Sequence, residues 1–372
     1  MRTPLSVVIG AGGTGGHIYP GLAIADALRR AVPDAVIAFV GTTRGLEGEL
    51  IPAAGYRLHT VDMLPFDPAL GAKRYLLPAA LLRSAAQVRA ILREQRAQVA
   101  VGMGGYPSAP VVLGARTAGL PSLIHESNAV PGRANQFAAR LTPHIAVAFD
   151  TGHLPGAVTT GMPIAASLAA LDRDALRPTA RQELGVPAGR RLVLVNGGSL
   201  GARRLTEAAL GLADRWRHRT DVHLLVKTGP AAIDATRRAL AGNPVARAVP
   251  YLDRMDLAYA AADLVVCRAG SATAAELATT GVPAVLVPYP HAPGDHQTHN
   301  ARVLTDAGAG LLLPDAETTP DRLAALVEPL LADPARLVAM NGAADPGPHA
   351  HAADLLAERV LRLASYTREY AS

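Results

Sequence analysis

Several stretches combine bare backbone with titratable or amide side chains. In AGGTGGHIYP (11–20), Gly12, Gly13, Gly15 and Gly16 bracket Thr14 and lead into His17. Such a turn between a strand and a helix lets a ligand approach backbone N–H groups, and the helix start adds positive potential. It suits a phosphate or another polar ligand, and His17 is a group able to exchange a proton near neutrality. The plainer reading is a tight turn that packs a helix on a sheet. VGMGGYPSAP (101–110) repeats the pattern, with Tyr106 after its glycines, and LIHESNAVPG (123–132) sets His125, Glu126, Ser127 and Asn128 at a strand end. Helix capping by Ser127 or Asn128 would explain one or two of those polar groups.

The second half of the sequence holds a matching set. NGGSLGARR (196–204) offers Ser199 in a glycine turn, and CRAGSATAAELA (267–278) enters a helix through Gly270, Ser271, Ala272 and Thr273. Glu276 follows; it reads either as an acceptor for paired sugar hydroxyls or as a charge placed for the helix dipole. PYPHAPGDHQTHNA (288–301) holds His291, Asp295, His296, Gln297, His299 and Asn300. The Pro293-Gly294 pair marks a loop rather than the rigid support a metal needs, so sugar contacts are favoured and no metal is expected. LDRD (171–174) follows no strand and reads as a charged helix start.

The elements that must position these groups alternate. LSVVIG, AVIAFV, VAVGM, PSLIHE and HIAVAF are apolar runs of strand length, interleaved with helical Ala/Leu/Arg sequence; RLVLVNGG, DVHLLVKTG, ADLVVCRAG and PAVLVPY restart the pattern. Two parallel, doubly wound α/β domains are expected, with the glycine turns at the carboxyl ends of their strands and a cleft between the domains. The boundaries are expected at 1–162 and 163–356, with a closing helix at 357–372 returning to the first domain. Gly10, Gly12 and Gly15 match the dinucleotide fingerprint, yet Gly41 and Thr42 stand where that fold wants a ribose-binding acid, which argues against a nicotinamide cofactor. No Walker A lysine closes either loop.

At 372 residues and 49% hydrophobic, the protein is long enough for two packed cores. A net charge of +5 is too mild for a nucleic-acid footprint, and one cysteine, Cys267, excludes an internal disulfide. With no apolar run near ~20 residues and no leader pattern at the N-terminus, a cytosolic location is expected. Within 74–96, Leu77, Leu81, Val88 and Leu92 form an apolar stripe beside Arg74, Arg83, Arg89, Arg93 and Arg96. The stripe serves either the core or an anionic membrane; in the second case Tyr75, Leu76 and Leu82 supply a further apolar edge.

Taken together and in this order, GGTGGHIYPGLAIADAL, VGMGGYPSAP, HESNAVPG, NGGSLGA, CRAGSATAAELATTGVPAVLVPYP and DHQTHNA resemble the MurG family, the lipid-linked N-acetylglucosaminyltransferases of peptidoglycan synthesis. The resemblance spans nearly the whole sequence. It implies the GT-B fold and an inverting, metal-independent transfer of GlcNAc from UDP-GlcNAc to the muramoyl 4-hydroxyl of undecaprenyl-linked lipid I. It also implies work at the cytoplasmic membrane face, within reach of a cell-wall synthesis complex. Ser199 and Gly270, Ser271, Ala272 and Thr273 would hold the donor diphosphate, Glu276 the ribose, Tyr251 the uracil, and Gln297 and Asn300 the sugar. Thr14, Gly15, Gly16, Tyr106 and Asn128 would receive the acceptor, with His17, His125 and Glu126 as candidate bases. The sequence departs from the family at Met162 and Ala165, where an amide and an arginine are usual, and at Ser127 and Lys227. Those departures motivate the alternative of a related transferase acting on a soluble specialised metabolite.

Overall fold

The computed structural model describes residues 4–63, 75–150, 152–198 and 201–365. They divide into two compact units, Met1–Ala165 with Pro348–Ser372, and Ala166–Gly347.

In the first unit the elements run β1 (Ser6–Gly10), α1 (Gly15–Ala31), β2 (Val36–Gly41), α2 (Glu47–Ala53), β3 (Arg57–Thr60), α3 (Leu77–Glu94), β4 (Val99–Gly102), α4 (Gly105–Ala118), β5 (Ser122–Glu126), α5 (Arg133–Ala138), β6 (His144–Val147) and β7 (Val158–Thr159). The sheet order is β3-β2-β1-β4-β5-β6-β7, and every pairing is parallel. Helices cover both faces, which is why β1 is apolar throughout rather than alternating. Val7 and Ile9 join the core beneath α1 with Ile18, Ile24 and Leu28, whereas Val8 joins Val88, Leu92 and Val111 on the opposite face.

The second unit continues with α6 (Ala166–Ala169), α7 (Arg173–Glu183), β8 (Arg191–Asn196), α8 (Arg203–Arg215), β9 (Val222–Lys227), α9 (Ile233–Ala239), β10 (Ala246–Val249), α10 (Met255–Ala261), β11 (Leu264–Cys267), α11 (Ser271–Thr280), β12 (Ala284–Leu286), α12 (His296–Asp306), β13 (Gly310–Leu312), α13 (Pro320–Ala332) and α14 (Pro334–Gly342). Its order, β10-β9-β8-β11-β12-β13, repeats that of the first sheet and is again parallel. LDRD is a helix start: Asp172 caps α7 by accepting Ala175 N at 3.0 Å.

The final helix, α15 (Ala352–Leu363), belongs to the first unit. Leu356, Ala357, Val360 and Leu361 join the core beneath α1, and Arg30 pairs with Asp354 at 2.8 Å. The units therefore divide near 165 and 347 rather than at 162 and 356. Pro348 and His349 already belong with the first unit, because His349 Nδ1 accepts Met162 N at 2.9 Å and its ring lies edge-on to Phe149. Between Pro348 and α15 the backbone also presses on Gly161, whose φ of +80 leaves no room for a side chain.

Candidate functional site

In each unit the strand order reverses between its first and fourth strands, at β1/β4 and at β8/β11. All the central glycine turns named above leave those strands. Ligands of open α/β sheets bind at such reversal points, beyond the carboxyl ends of the strands.

In the first unit the β1 and β4 turns meet. Gly13 takes φ +88, a conformation open to glycine at little cost, and Thr14 stands at the N-cap of α1. Its hydroxyl lies 3.4 Å from His17 Nδ1. The half-buried His17 ring rests on the β4 turn: a Cβ at Gly104 would fall 2.8 Å from His17 Cδ2, and one at Gly105 would fall 3.3 Å from Nδ1. Tyr106 stands exposed beside Gly13, on the same turn. Gly15 and Gly16 form the first turn of α1.

Behind these turns lies a buried polar network. Glu126 accepts Asn128 N at 2.9 Å, Asn128 Nδ2 at 3.3 Å, Gly132 N at 3.1 Å and Asn135 Nδ2 at 2.9 Å. Asn135 also donates to His125 O at 2.9 Å and accepts Ser108 Oγ at 2.7 Å. His125 has no solvent exposure. Its Nε2 lies 2.9 Å from Gly161 O, an atom that can only accept, so Nε2 carries the proton and Nδ1 faces the Ser127 hydroxyl at 3.4 Å. Burial holds the His125 pKa down to about 4, and burial raises that of Glu126 against the pull of its donors. Neither Ser127 nor Asn128 caps a helix; α5 starts at Arg133 behind Gly132. The polar run HESN is a framework for the loop.

In the second unit, α11 starts at Ser271 with Gly270 at its N-cap, and no side-group hydrogen bond closes its first turn. Ser271 is buried and Thr273 is half-buried. Glu276 is deeper in the helix, beyond the first turn where dipole effects are felt, so the dipole reading of this residue lapses. Its Oε2 accepts Tyr259 Oη at 2.8 Å, and burial pushes its pKa up to about 7 against the opposing pull of Tyr259 and Lys227. Lys227 is buried at the end of β9. Its Nζ donates to Asn196 Oδ1 at 3.4 Å and to Gly198 O at 3.1 Å, and lies 5.0 Å from the centre of the half-exposed Tyr251 ring. Lys227, Tyr251, Glu276 and the β8 turn thus share one neighbourhood. Ser199 lies outside the described residues.

The 288–301 stretch is braced by hydrogen bonds of its own side chains. Asn300 is fully buried and donates to Ala269 O at 3.2 Å, bracing the turn that opens α11. Half-buried Gln297 accepts Tyr289 N at 2.9 Å, and His296 Nδ1 donates to Pro293 O at 2.8 Å. Among the described residues, no group of three or more His, Cys, Asp or Glu side chains could hold a metal ion.

Sequence reasoning missed Glu47, Asn135 and Tyr259. Glu47 packs beneath the β1 turn. Its Oε2 accepts Gly13 N at 2.9 Å, and its Oε1 accepts Thr42 N at 3.0 Å and Thr42 Oγ1 at 2.7 Å. The only signal in the sequence is an acid soon after β2, some residues past the position the dinucleotide fingerprint inspects.

Residues 7–147 match the model of the glycosyltransferase family 28 N-terminal domain and residues 192–360 that of the family 28 C-terminal domain. The UDP-N-acetylglucosamine–N-acetylmuramyl-(pentapeptide) pyrophosphoryl-undecaprenol N-acetylglucosamine transferase of Saccharopolyspora erythraea is 44% identical, over 98% of this chain and 95% of its own. The enzyme of the same name from Mycobacterium leprae is 41% identical, over 100% and 92%. Among solved structures, Acinetobacter baumannii MurG aligns with a TM-score of 0.74 at 28% identity, over 96% of this chain and 100% of that one. The chain belongs to the MurG family. Its two parallel-sheet units are those of the GT-B fold, which the kitacinnamycin glycotransferase also shares at 19% identity and a TM-score of 0.67. Two places where this MurG-family protein departs from the usual motif now have a location. Met162 is buried at the crossing back to His349, and Lys227 lies under the glycine turn of the second unit.

Proposed function

We propose that this protein transfers GlcNAc from UDP-GlcNAc, with inversion, to the 4-hydroxyl of the MurNAc of undecaprenyl-diphospho-MurNAc-pentapeptide (lipid I), giving lipid II. The observation that carries the division of labour is a contrast of buried charge. The glycine turn of the first unit rests on a carboxylate, Glu47, and that of the second on an ammonium, Lys227. The diphosphate of UDP, which gains negative charge as it departs, is assigned to the second. There, Lys227 and the backbone N–H groups of Gly270, Ser271, Ala272 and Thr273 stabilise the departing UDP. Tyr251 stacks beside the uracil, ionised Glu276 accepts the ribose hydroxyls, and Gln297 reaches the sugar, while Asn300 acts from behind the turn. Ser199 completes the diphosphate site in this reading.

The first unit takes the acceptor through Thr14, Gly15, Gly16, Tyr106 and Asn128. Of the three candidate bases we assign His17. Its Nδ1 lies beside the Thr14 hydroxyl at the acceptor turn, and an imidazole can take the proton of the attacking hydroxyl near neutrality. His125 has both ring nitrogens engaged in a buried setting, and the Glu126 oxygens are committed to backbone and amide donors. Both support the loop that His17 works beside.

Among the described residues no helix is long and apolar enough to cross a membrane. We place the protein at the cytoplasmic face as a peripheral protein. Ala85, Val88 and Leu92 of α3 face the core, whereas Tyr75, Leu76 and Leu82 are 73%, 59% and 65% exposed beside the exposed Arg83. This apolar edge with its cation suits an anionic bilayer. Sedimentation with anionic vesicles should fall for Leu82→Asp; unchanged sedimentation would remove the membrane assignment.

The deciding experiment crosses a panel of UDP-sugars with lipid-linked and soluble acceptors. Lipid II formation from UDP-GlcNAc and a lipid I analogue is expected. Turnover with soluble aglycones alone would overturn the reading in favour of a specialised-metabolite transferase.

A further inference from the structure

We infer that Glu47 is a positioning residue for the reaction, setting the turn that aims Thr14 and His17. This inference rests on the acceptor site assigned above. Glu47 opens α2 and is wholly buried, and it reaches Gly13 across 34 residues of sequence. Its oxygens hold donors on two separate segments: Gly13 N on the β1 turn, and Thr42 N and Oγ1 on the β2 turn. Thr42 Oγ1 in turn accepts Arg44 N at 3.2 Å, so the β2 turn is itself fixed. The hydrogen bonds outweigh the cost of burial, and the Glu47 pKa lies below its ordinary value. The group is therefore a carboxylate at neutral pH.

The geometry shows what this carboxylate does. A peptide unit is planar, with N–H and C=O on opposite sides. Holding Gly13 N–H inward therefore turns Gly12 C=O outward, toward the β4 turn. A Cβ at Gly105 would fall 2.7 Å from that oxygen, and the same turn supports the His17 ring. The next residue is Thr14, whose hydroxyl bonds His17. At Gly12 a Cβ would fall 2.8 Å from Glu47 Oε1, and at Gly45 it would clash with Oε2. The turn is moulded around the carboxylate and no water space separates them. Without it, nothing described in the structure holds the Gly12–Gly13 peptide against flipping, and a flip would displace the base.

The test is steady-state kinetics with UDP-GlcNAc and a lipid I analogue on the full-length protein. Glu47→Gln cannot satisfy donors at both oxygens, because its amide NH2 must face one of them. It is expected to lower kcat about 10- to 100-fold, the scale of a misplaced catalytic group. The KM for UDP-GlcNAc should stay within about twofold, because the donor occupies the other unit. Glu47→Asp, which keeps the charge, should recover part of the rate. In a His17→Ala background, Glu47→Gln should change the residual rate by less than about twofold, since both act through one group. A full effect in that background, or a rate loss matching only a loss of folded protein, would overturn the positioning role. Should His17→Ala itself remain active, the assignment of the base fails instead, whatever Glu47→Gln does. If Glu47→Gln does not fold, Thr42→Val removes one donor from the same carboxylate. It should lower kcat severalfold at unchanged donor KM, and an unchanged kcat would overturn the inference.

Discussion

The two glycine turns that follow β1 and β8 are near copies in sequence, VVIGAGGTGGH and LVLVNGGSLGA, and both sit at the reversal point of a sheet with the same strand order. What differs is the charge beneath them. Glu47 takes a backbone N–H out of the first turn; Lys227 takes a backbone carbonyl out of the second. The two turns thus share a motif but not the charge beneath it, which a buried residue from elsewhere in the fold supplies. In the first unit that residue comes from a helix start after β2, and in the second from the end of β9. A turn can be copied between domains and still rest on the opposite charge.

Breaking this contrast gives ordered expectations. The largest effect should come from His17→Ala, which removes the base on the acceptor side: kcat should fall about 10²- to 10⁴-fold with little change in donor KM. Stopped product analysis with lipid I analogue checks it, and a kcat near the starting value would end the assignment. Next, Lys227→Met keeps the volume but removes the ammonium beneath the second turn. Hydrogen bonds to charged groups contribute about 1.5–3 kcal/mol, so the KM for UDP-GlcNAc should rise about 10- to 100-fold. A donor KM that does not move would show that the buried charge does not select the ligand.

Smaller effects sharpen the comparison. Burial holds the Glu276 pKa at about 7, well above that of an unfolded glutamate, so the folded protein binds an extra proton between roughly pH 4.5 and 7. The sign follows by linkage: stability falls as pH rises through that window, while ionised Glu276 is the form that accepts ribose hydroxyls. Donor KM should therefore drop severalfold from pH 6 to pH 8, and Glu276→Gln should flatten both this trend and its share of the pH dependence of Tm. The least effect is expected for Tyr259→Phe. Losing the hydroxyl that favours the carboxylate should move the midpoint of the donor-KM profile to higher pH; a shift to lower pH would contradict the role given to that hydrogen bond.

Much of the framework was legible because it depends on local patterns. Strand-length apolar runs ending in glycine read as parallel strands with ligand-facing turns. The edge strands β3 (RLHT), β10 (ARAV) and β13 (GLL) were harder, being short and carrying polar or small residues. Placement was legible where a residue belongs to a turn, as with Thr14, His17 and Ser271, which stand at helix starts behind strands. It was illegible where the partner is far along the sequence. Nothing near Glu47 announces Gly13, and nothing near Asn135 announces Glu126 and Ser108. His125 read as a rival base because its sequence neighbours are polar. Its burial, and Gly161 O at its Nε2, are properties of packing alone. The hydrogen bond from Asn300 to Ala269 O, 31 residues away, was equally invisible in the sequence.

The return of α15 to the first unit has a consequence during synthesis. Leu356, Val360 and Leu361 complete the layer over α1, so nascent residues 1–165 leave the ribosome with part of their apolar surface uncovered. They stay so until all of Ala166–Gly347 has been translated. At about 5–20 residues per second that interval is on the order of ten seconds or more. For that time the apolar surface that α15 will cover stays open to solvent, and a premature stop before α15 would leave it open.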